Sequence, residues 1–234
     1  MQRLDRVLSS MGEATRKDVR KLVRDGRITV DGEIAVSWDQ KVDETASVIA
    51  IDGEVIEMPR IIVAMMNKPQ GYVTSTEDPR DPTVMSLLPR SFLKQKVYPV
   101  GRLDKDTEGL LIFTNDGALA HRLIAPKHGI EKEYYVEHIG TSTDEIIADF
   151  ASGLVLSDGT ECRPAILKRI EEGKSLIVIT EGKYHQVRRM MASKGLEVTY
   201  LRRIREGRVV LGSLPLGEVR ELSSDEIDML SQHI

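Results

Sequence analysis

Leu4, Val7, Leu8 and Met11 recur at helical spacing, and Gly12 closes the segment they define. Thr15 and Asp18 form a predicted capping pair that opens a second helix, on which Val19, Leu22 and Val23 make only a narrow apolar stripe. Past Asp25-Gly26 the period drops to that of strands. RITVDGEIAV predicts a hairpin with Asp31-Gly32 at its turn, and a further Asp-Gly, 52–53, sits in the extended stretch SVIAIDGEVI. These elements make one unit over residues 1–57, near the lower size limit for independent folding. Met58-Pro59 marks the boundary, and a second unit is expected over 61–234.

In that second unit, IIVAMMNKPQGYVTS opens as a buried strand and ends in a turn at Lys68-Pro69-x-Gly71. The segment 77–90, with three of the nine prolines, reads as a loop. Strands are predicted near 97–100, 110–114, 132–139, 163–170, 175–181 and 208–211, and helices over 117–125, 143–151, 185–194 and 224–231. Strands interleaved irregularly with few helices predict an α+β fold: a small N-terminal αβ unit, then a domain with a mixed, largely antiparallel sheet flanked by helices.

Composition removes several function classes. No apolar run approaches the ~20 residues of a membrane helix, and MQRLDRVLSS carries charges where a signal peptide has its apolar core. Cys162 is the single cysteine, so no internal disulfide forms, which fits a reducing cytoplasm. The five histidines (121, 128, 138, 185 and 233) show no ligand spacing, and no metal site is expected. A net charge of −4 argues at first against nucleic acid, but the charges are segregated. Residues 1–30 hold eight bases against four acids (+4), and 181–208 hold eight against three (+5). Between and after them, 31–57 hold one base against eight acids and 218–234 one against five. Two basic islands are compatible with an RNA surface, because a binding face responds to local potential. On the second helix Arg16, Lys17, Arg20, Lys21 and Arg24, followed by Arg27, lie mostly off the apolar stripe.

The stretch GRLDKDTEGLLIFTNDG, 101–117, holds the densest chemistry. Its DxDxT string also occurs in phosphate-transferring aspartate nucleophiles, where a buried strand runs immediately before the first aspartate. Here YPVGRL precedes it, with proline, glycine and arginine, and the apolar run Leu110–Phe113 follows. The acids therefore lie on a loop feeding into a core strand. A magnesium site from Asp104, Asp106 and Glu108 is opposed by Arg102 and Lys105 beside them. Those two bases are expected to keep nearby carboxylates ionised. An ionised aspartate over a rigid sheet serves as nucleophile or general base, a chemistry used on glycosidic bonds.

Two resemblances carry the reading further. Arg3-Leu4-Asp5, Thr15-Arg16 and RDGRITVDG (24–32) resemble the alpha-L RNA-binding domain shared by a small-subunit ribosomal protein, bacterial tyrosyl-tRNA synthetases and RNA-modifying enzymes. This implies phosphate contacts through Arg3, Arg16, Lys17, Arg20, Lys21, Arg24 and Arg27. PVGRLDKDTEGLLIFTNDG, with MNKPxG at 66–71, KEYYV at 132–136 and EGKYHQVRRM at 181–190, resembles the pseudouridine synthases, in the branch typified by the ribosomal small-subunit enzyme. The resemblance implies Asp104 as the catalytic aspartate and Tyr134 as the aromatic residue packing on the target base. Arg188 becomes the base that pairs with the aspartate, and Arg102 the arginine beside a flipped uridine. Lys183 and Arg189 read as substrate phosphate contacts or a solvated face. Isomerisation by this route needs no cofactor and no metal. The implied partner is ribosomal RNA, 16S before 23S, free or in an assembling small-subunit particle, met by a cytoplasmic monomer with no membrane role. A noncatalytic ribosome-binding factor on the same fold is the alternative.

The remaining residues take plainer readings. Asp106 and Asp116 are loop and turn residues, with Asn115-Asp116-Gly117 a turn or helix entry, Thr107 and Gly109 shape the loop, and Tyr135 alternates with Tyr134 across a strand. His185 is expected to be a structural hydrogen-bonder, and Trp38 and Met65-Met66 packing residues.

Overall fold

The computed structural model describes all residues except 12–13, 44–45, 57–59 and 232–234, and divides into two compact units, Met1–Ile61 and Ile62–Ile234. The expected helix stop at Gly12 and boundary at Met58-Pro59 lie outside the described residues.

The first unit runs β1 (Gln2–Arg3), α1 (Leu4–Met11), α2 (Arg16–Arg24), β2 (Ile28–Val30), β3 (Glu33–Ile34), β4 (Lys41–Val42), β5 (Ile49–Ile51) and β6 (Glu54–Ile56). Thr15 opens α2 with a capping box: its hydroxyl accepts from the Asp18 amide, and Asp18 accepts from the Thr15 amide, each at 3.2 Å. Four strands form an antiparallel sheet in the order β3-β2-β5-β6. Its two outer hairpins both turn on Asp-Gly with positive φ, 54° and 87° at 31–32 and 53° and 83° at 52–53. Left-handed turn residues match the twist of the flanking strands. Leu4, Leu8, Val19, Ile28 and Ile49, all fully buried, make the small core.

The second unit contains β7 (Val63–Lys68), α3 (Arg90–Lys94), β8 (Tyr98–Val100), β9 (Glu108–Thr114), α4 (Gly117–Ile124), β10 (Lys132–Ile139), α5 (Asp144–Ser152), β11 (Leu154–Val155) and β12 (Glu161–Cys162). These are followed by β13 (Ile166–Glu171), β14 (Lys174–Ile179), α6 (Gln186–Ala192), β15 (Glu197–Glu206), β16 (Val209–Val210), β17 (Val219–Glu221) and α7 (Ser224–Ser231). Its main sheet runs β13-β14-β10-β15-β9-β7-β17, with β16 on β15 and β8 on β9. Every pair is antiparallel except β15 with β9, where Arg202 faces Glu108 and Arg203 faces Gly109. Side chains alternate between faces along each strand. One face sends Ala64, Met66, Leu111, Phe113, Tyr134, Val136, Ile177 and Leu201 against Phe150 of α5 and Val187, Met190 and Met191 of α6. The other sends Val63, Met65, Leu110 and Ile112 against Leu119 and Leu123 of α4 and Leu230 of α7. Asp116 caps α4, accepting from the amides of Ala118 and Leu119 at 2.8 and 3.1 Å.

The apolar pattern does not announce β15, the longest strand. Five of its ten residues are charged, yet it lies in the middle of the sheet, between β10 and β9. Two of those charges, Arg203 and Glu206, are buried as an ion pair at 3.2 Å, which removes the usual sign of an interior strand.

Candidate active site

The loop ahead of β9 is built around a lysine. Lys68, the last residue of β7, is fully buried, and its Nζ donates to the carbonyls of Thr107 (2.8 Å), Pro69 (3.0 Å), Asp104 (3.0 Å) and Lys105 (3.4 Å). Burial lowers its pKa to about 8, against the upward pull of Asp106, Asp104 and Glu108. Thr74 grips the loop from the other side, its hydroxyl donating to the Leu103 carbonyl at 2.8 Å and accepting from the Leu103 amide at 3.2 Å. Gly71 adds an amide donated to the Lys105 carbonyl at 2.8 Å. The Lys68-Pro69-x-Gly71 turn thus fixes the backbone that carries the acids. Spacing alone reads it only as a turn.

The three acids diverge. Asp104 lines a small cavity of about 50 Å³ with Thr107, Tyr134, Gly182, Lys183, His185, Gln186, Val187 and Leu201, among others. Asp106 meets Arg188 of α6, with Nη2 to Oδ2 at 2.9 Å. Glu108 points to the opposite face of the sheet and accepts from the Tyr200 hydroxyl at 2.6 Å. No group of three or more His, Cys, Asp or Glu among the described residues is placed to hold a metal ion.

Burial pushes the Asp104 carboxyl above the ordinary carboxylate range. Asp106 adds to that shift, while His185, Arg188 and Lys68 oppose it. The expectation that Arg102 and Lys105 hold it ionised is therefore corrected. Lys105 reaches away to Asp81 at 2.6 Å, and Arg102 is exposed. The expected contact of Arg188 with Asp104 is also corrected. Its guanidinium bonds the Asp106 carboxylate and donates to the Asp106 and Val198 carbonyls, both at 3.3 Å. Asp104 turns inward from the loop, and Asp106, two residues on, meets α6. Arg188 thus acts on Asp104 through the field rather than by contact.

Among the described residues, His185 is the base within ion-pair reach of the Asp104 carboxylate, Nε2 to Oδ1 at 3.4 Å. It is the N-cap of α6, with left-handed backbone (φ 46°, ψ 34°), and its ring stacks on Tyr184 at 3.9 Å between centroids. A non-glycine residue at positive φ beside a cavity stores strain of about 1–3 kcal/mol, a common property of functional sites. The segment is held by Gln186, whose side chain donates to Glu181 at 2.8 Å and accepts from the Lys183 amide at 2.9 Å. The sequence signal that could have raised His185 was its place in the HQVRR string.

Tyr134 is buried on the cavity side of β10, and burial raises its hydroxyl pKa. Tyr135 lies on the other face, edge-on to Tyr200 at 6.1 Å. Lys183 lines the cavity, bonds the Glu161 carbonyl and faces Glu181 at 3.4 Å. Arg189 lies outside the cavity lining, paired with Asp158 at 2.5 Å. The second basic island is consequently not a free positive surface. Lys183, Arg188, Arg189, Lys194, Arg203 and Arg205 all sit on carboxylates of their own unit. In the first unit, Arg3 pairs with Asp5 at 2.9 Å and Arg27 with Asp52. Arg3 and Arg20 place guanidinium groups 4.6 and 4.0 Å from the Trp38 ring centroid, a cation–π arrangement. Trp38 thus organises arginines as well as packing. Arg16, Lys17 and Lys21 are exposed on α2 without ion pairs among the described residues.

The model of the RNA pseudouridylate synthase family matches residues 62–193, and that of the S4 domain matches 2–45. The chain is 40% identical to the ribosomal small subunit pseudouridine synthase A of Yersinia pestis, over 96% of both chains. It is 37% identical to the ribosomal large subunit pseudouridine synthase B of Pseudomonas aeruginosa, over its own whole length and 62% of that protein. A crystal structure of a pseudouridylate synthase superposes with a TM-score of 0.70 at 34% identity, covering 98% of this chain and all of that one.

Proposed function

Since this chain belongs to the RNA pseudouridylate synthase family, with an S4 domain ahead of the catalytic one, we propose that it isomerises a uridine of 16S ribosomal RNA, with Asp104 as the nucleophile. The observation that carries this reading is a half-buried carboxylate sharing one cavity with a buried tyrosine, on a loop pinned by Lys68. The target uridine leaves the stack to enter, because its glycosidic bond is out of reach within a helix. Tyr134 offers a face to the base, and Arg102, exposed at the head of the loop, is free to contact the displaced nucleotide. Asp104 supplies the electron pair that meets C1′ as the bond to N1 breaks. Uracil turns, C5 bonds to C1′ as the Asp104 oxygen leaves that carbon, and the proton lost from C5 is balanced by one taken up at N1. Atoms are conserved overall, so neither oxidant nor group donor is required.

Ribosomal RNA labelled with tritium at uridine C5 tests the reading, because release follows the new carbon–carbon bond. Release from 16S and not 23S RNA is expected, in proportion to one site per molecule. The likeness to a large-subunit synthase makes 23S the second reading, and release from that RNA alone would establish it. No release from either, free or within subunits, would sink both.

The S4 unit is proposed to hold RNA by charge, through Arg16, Lys17 and Lys21. Reversing these three to glutamate should weaken RNA binding and flatten its salt dependence by roughly one unit of slope per lost phosphate contact. Titrations at several salt concentrations check this. Unchanged affinity and slope would make the helix an ordinary solvated face.

A further inference from the structure

The face of the main sheet opposite Asp104 carries a second, larger cavity, of about 420 Å³, that the proposed chemistry does not use. Asn67, Glu108 and Arg202 line it from three adjacent strands, and the segment 212–216, with Leu214, Pro215 and Leu216, closes one side. Asn67 and Glu108 continue the rows of Val63 and Met65 and of Leu110 and Ile112. Those apolar residues are covered by helices, whereas the polar pair lies in the cavity wall.

The hydrogen-bonding state of this wall is incomplete. Asn67 is 1% exposed, and its Nδ2 donates to the Leu214 carbonyl at 2.8 Å, which fixes the amide's orientation. Its Oδ1 is buried without a hydrogen-bond partner among the described residues. The Nε of Arg202 is also buried without a partner among the described residues, although Arg202 faces Glu108 across the parallel pair and forms no ion pair with it. One Glu108 oxygen takes the Tyr200 hydroxyl, whose pKa burial and that bond push up to about 12, so this hydroxyl stays a donor to Glu108. The wall therefore offers a carboxylate, a bare amide oxygen and a guanidinium. Leaving such buried atoms unpaired is costly unless something fills them.

We propose that this cavity binds an unpaired guanine of the substrate RNA. The inference rests on RNA being the substrate. Guanine presents two adjacent donors, N1–H and N2–H₂, which a carboxylate accepts together, and the second N2 hydrogen can reach a further acceptor such as Asn67 Oδ1. Its O6 and N7 accept from arginine. Adenine and cytosine each present one amino group with an acceptor beside it, and uracil a single N–H, so none offers the two adjacent donors that a carboxylate accepts together. Leu214, Pro215 and Leu216 supply the apolar wall a base needs, and the volume falls in the range of small-ligand sites. Glu108 is four residues from Asp104, at most about 14 Å along an extended chain, and on the other face of the sheet. Sequence-specific RNA recognition commonly uses splayed single-stranded bases in this way.

The test measures binding of short uridine-rich oligonucleotides carrying one central guanosine, inosine, adenosine or cytidine to the full-length protein. Guanosine should be preferred over adenosine and cytidine by about tenfold or more, the discrimination of one good bidentate contact. Inosine, lacking the N2 amine, should fall between. Glu108→Gln and Arg202→Gln should erase the preference while leaving affinity for the all-uridine oligonucleotide within about twofold. Thermal melting verifies that each variant folds. Equal binding of all four oligonucleotides overturns the proposal, as does a preference that survives both substitutions. Free guanosine bound through Glu108, with no preference between oligonucleotides, also overturns it and makes the cavity a nucleoside site instead. Tritium release from ribosomal RNA is measured in parallel. Its absence sinks the proposed isomerisation, whereas loss of the guanosine preference with release intact sinks only the subsite.

Discussion

Asp104→Asn is expected to abolish turnover, by a factor on the order of 10⁴ or more, the usual loss when a nucleophile that acts in concert with its surroundings is removed. The substitution keeps the shape and removes the negative charge that would meet C1′. RNA affinity should hold or rise, since one carboxylate facing phosphate is gone. The same change should stabilise the protein. Burial raises the Asp104 pKa in the fold, so the folded state favours the neutral acid. Its stabilising contribution is full below the unfolded pKa and is lost as pH rises through the folded value. At neutral pH the ionised group is then a cost that Asn does not carry. The melting temperature of Asp104→Asn should exceed that of the parent at pH 7, and the gap should close as pH falls into the carboxylate range. Activity runs the other way, failing on the acid side at a higher pH than an ordinary aspartate would impose. By contrast Asp106→Asn, which disturbs the Arg188 pair and not the cavity, should cost about tenfold, or ~1.4 kcal/mol of barrier. Near-parental tritium release by Asp104→Asn, with loss in Asp106→Asn, would move the chemistry to the other aspartate.

Gly109→Ala should be the most damaging single methyl group in the catalytic domain. Gly109 has φ of 107°, where L side chains are strained, and a Cβ there would lie 2.7 Å from the Arg203 amide nitrogen and 2.9 Å from its carbonyl carbon. The obstacle is backbone, in the middle of the sheet, at the parallel contact between β9 and β15. It cannot move without parting those strands, and the buried Arg203 Nε, which donates to the Leu110 carbonyl at 2.7 Å, would lose its place as well. A loss above about 4 kcal/mol, at the upper end for single substitutions, is expected. Soluble yield, circular dichroism and thermal melting read it. A variant that melts within a few degrees of the parent would mean that the strands part more cheaply than this packing implies. Gly109 follows Glu108 directly, so the requirement for glycine in the loop-to-strand string is one of sheet assembly rather than of chemistry.

Local features were legible wherever the physics is local. The Thr15–Asp18 capping box, the Asp31-Gly32 hairpin, the Asp116 cap and the apolar stretches that became β7, β9, β10 and β14 depend on residues within a few positions of one another. Alternation along β10 was likewise enough to separate Tyr134 from Tyr135. The family was legible because long strings such as GRLDKDTEGLL and EGKYHQVRRM keep residue types at fixed spacing.

The pairings of charges were not legible, because each depends on which strands become neighbours. Sequence proximity suggested that Arg102 and Lys105 govern Asp104, but the fold turns Lys105 to Asp81 and leaves Arg102 exposed. It brings His185, 81 positions away, to 3.4 Å. Residues 181–208 read as a basic island, yet β15 runs through the middle of the sheet with Arg203 buried, and six of that island's bases end on carboxylates of the same unit. Lys68 read as part of a turn and proved to be the post on which the loop that carries Asp104 hangs. Hydrophobic period and turn chemistry act along the chain, so a sequence displays them directly. Ion pairing and desolvation act through space, so only the parallel joining of β9 to β15 and the packing of α6 beside the loop decided which acid is buried, which is paired, and which faces the other cavity.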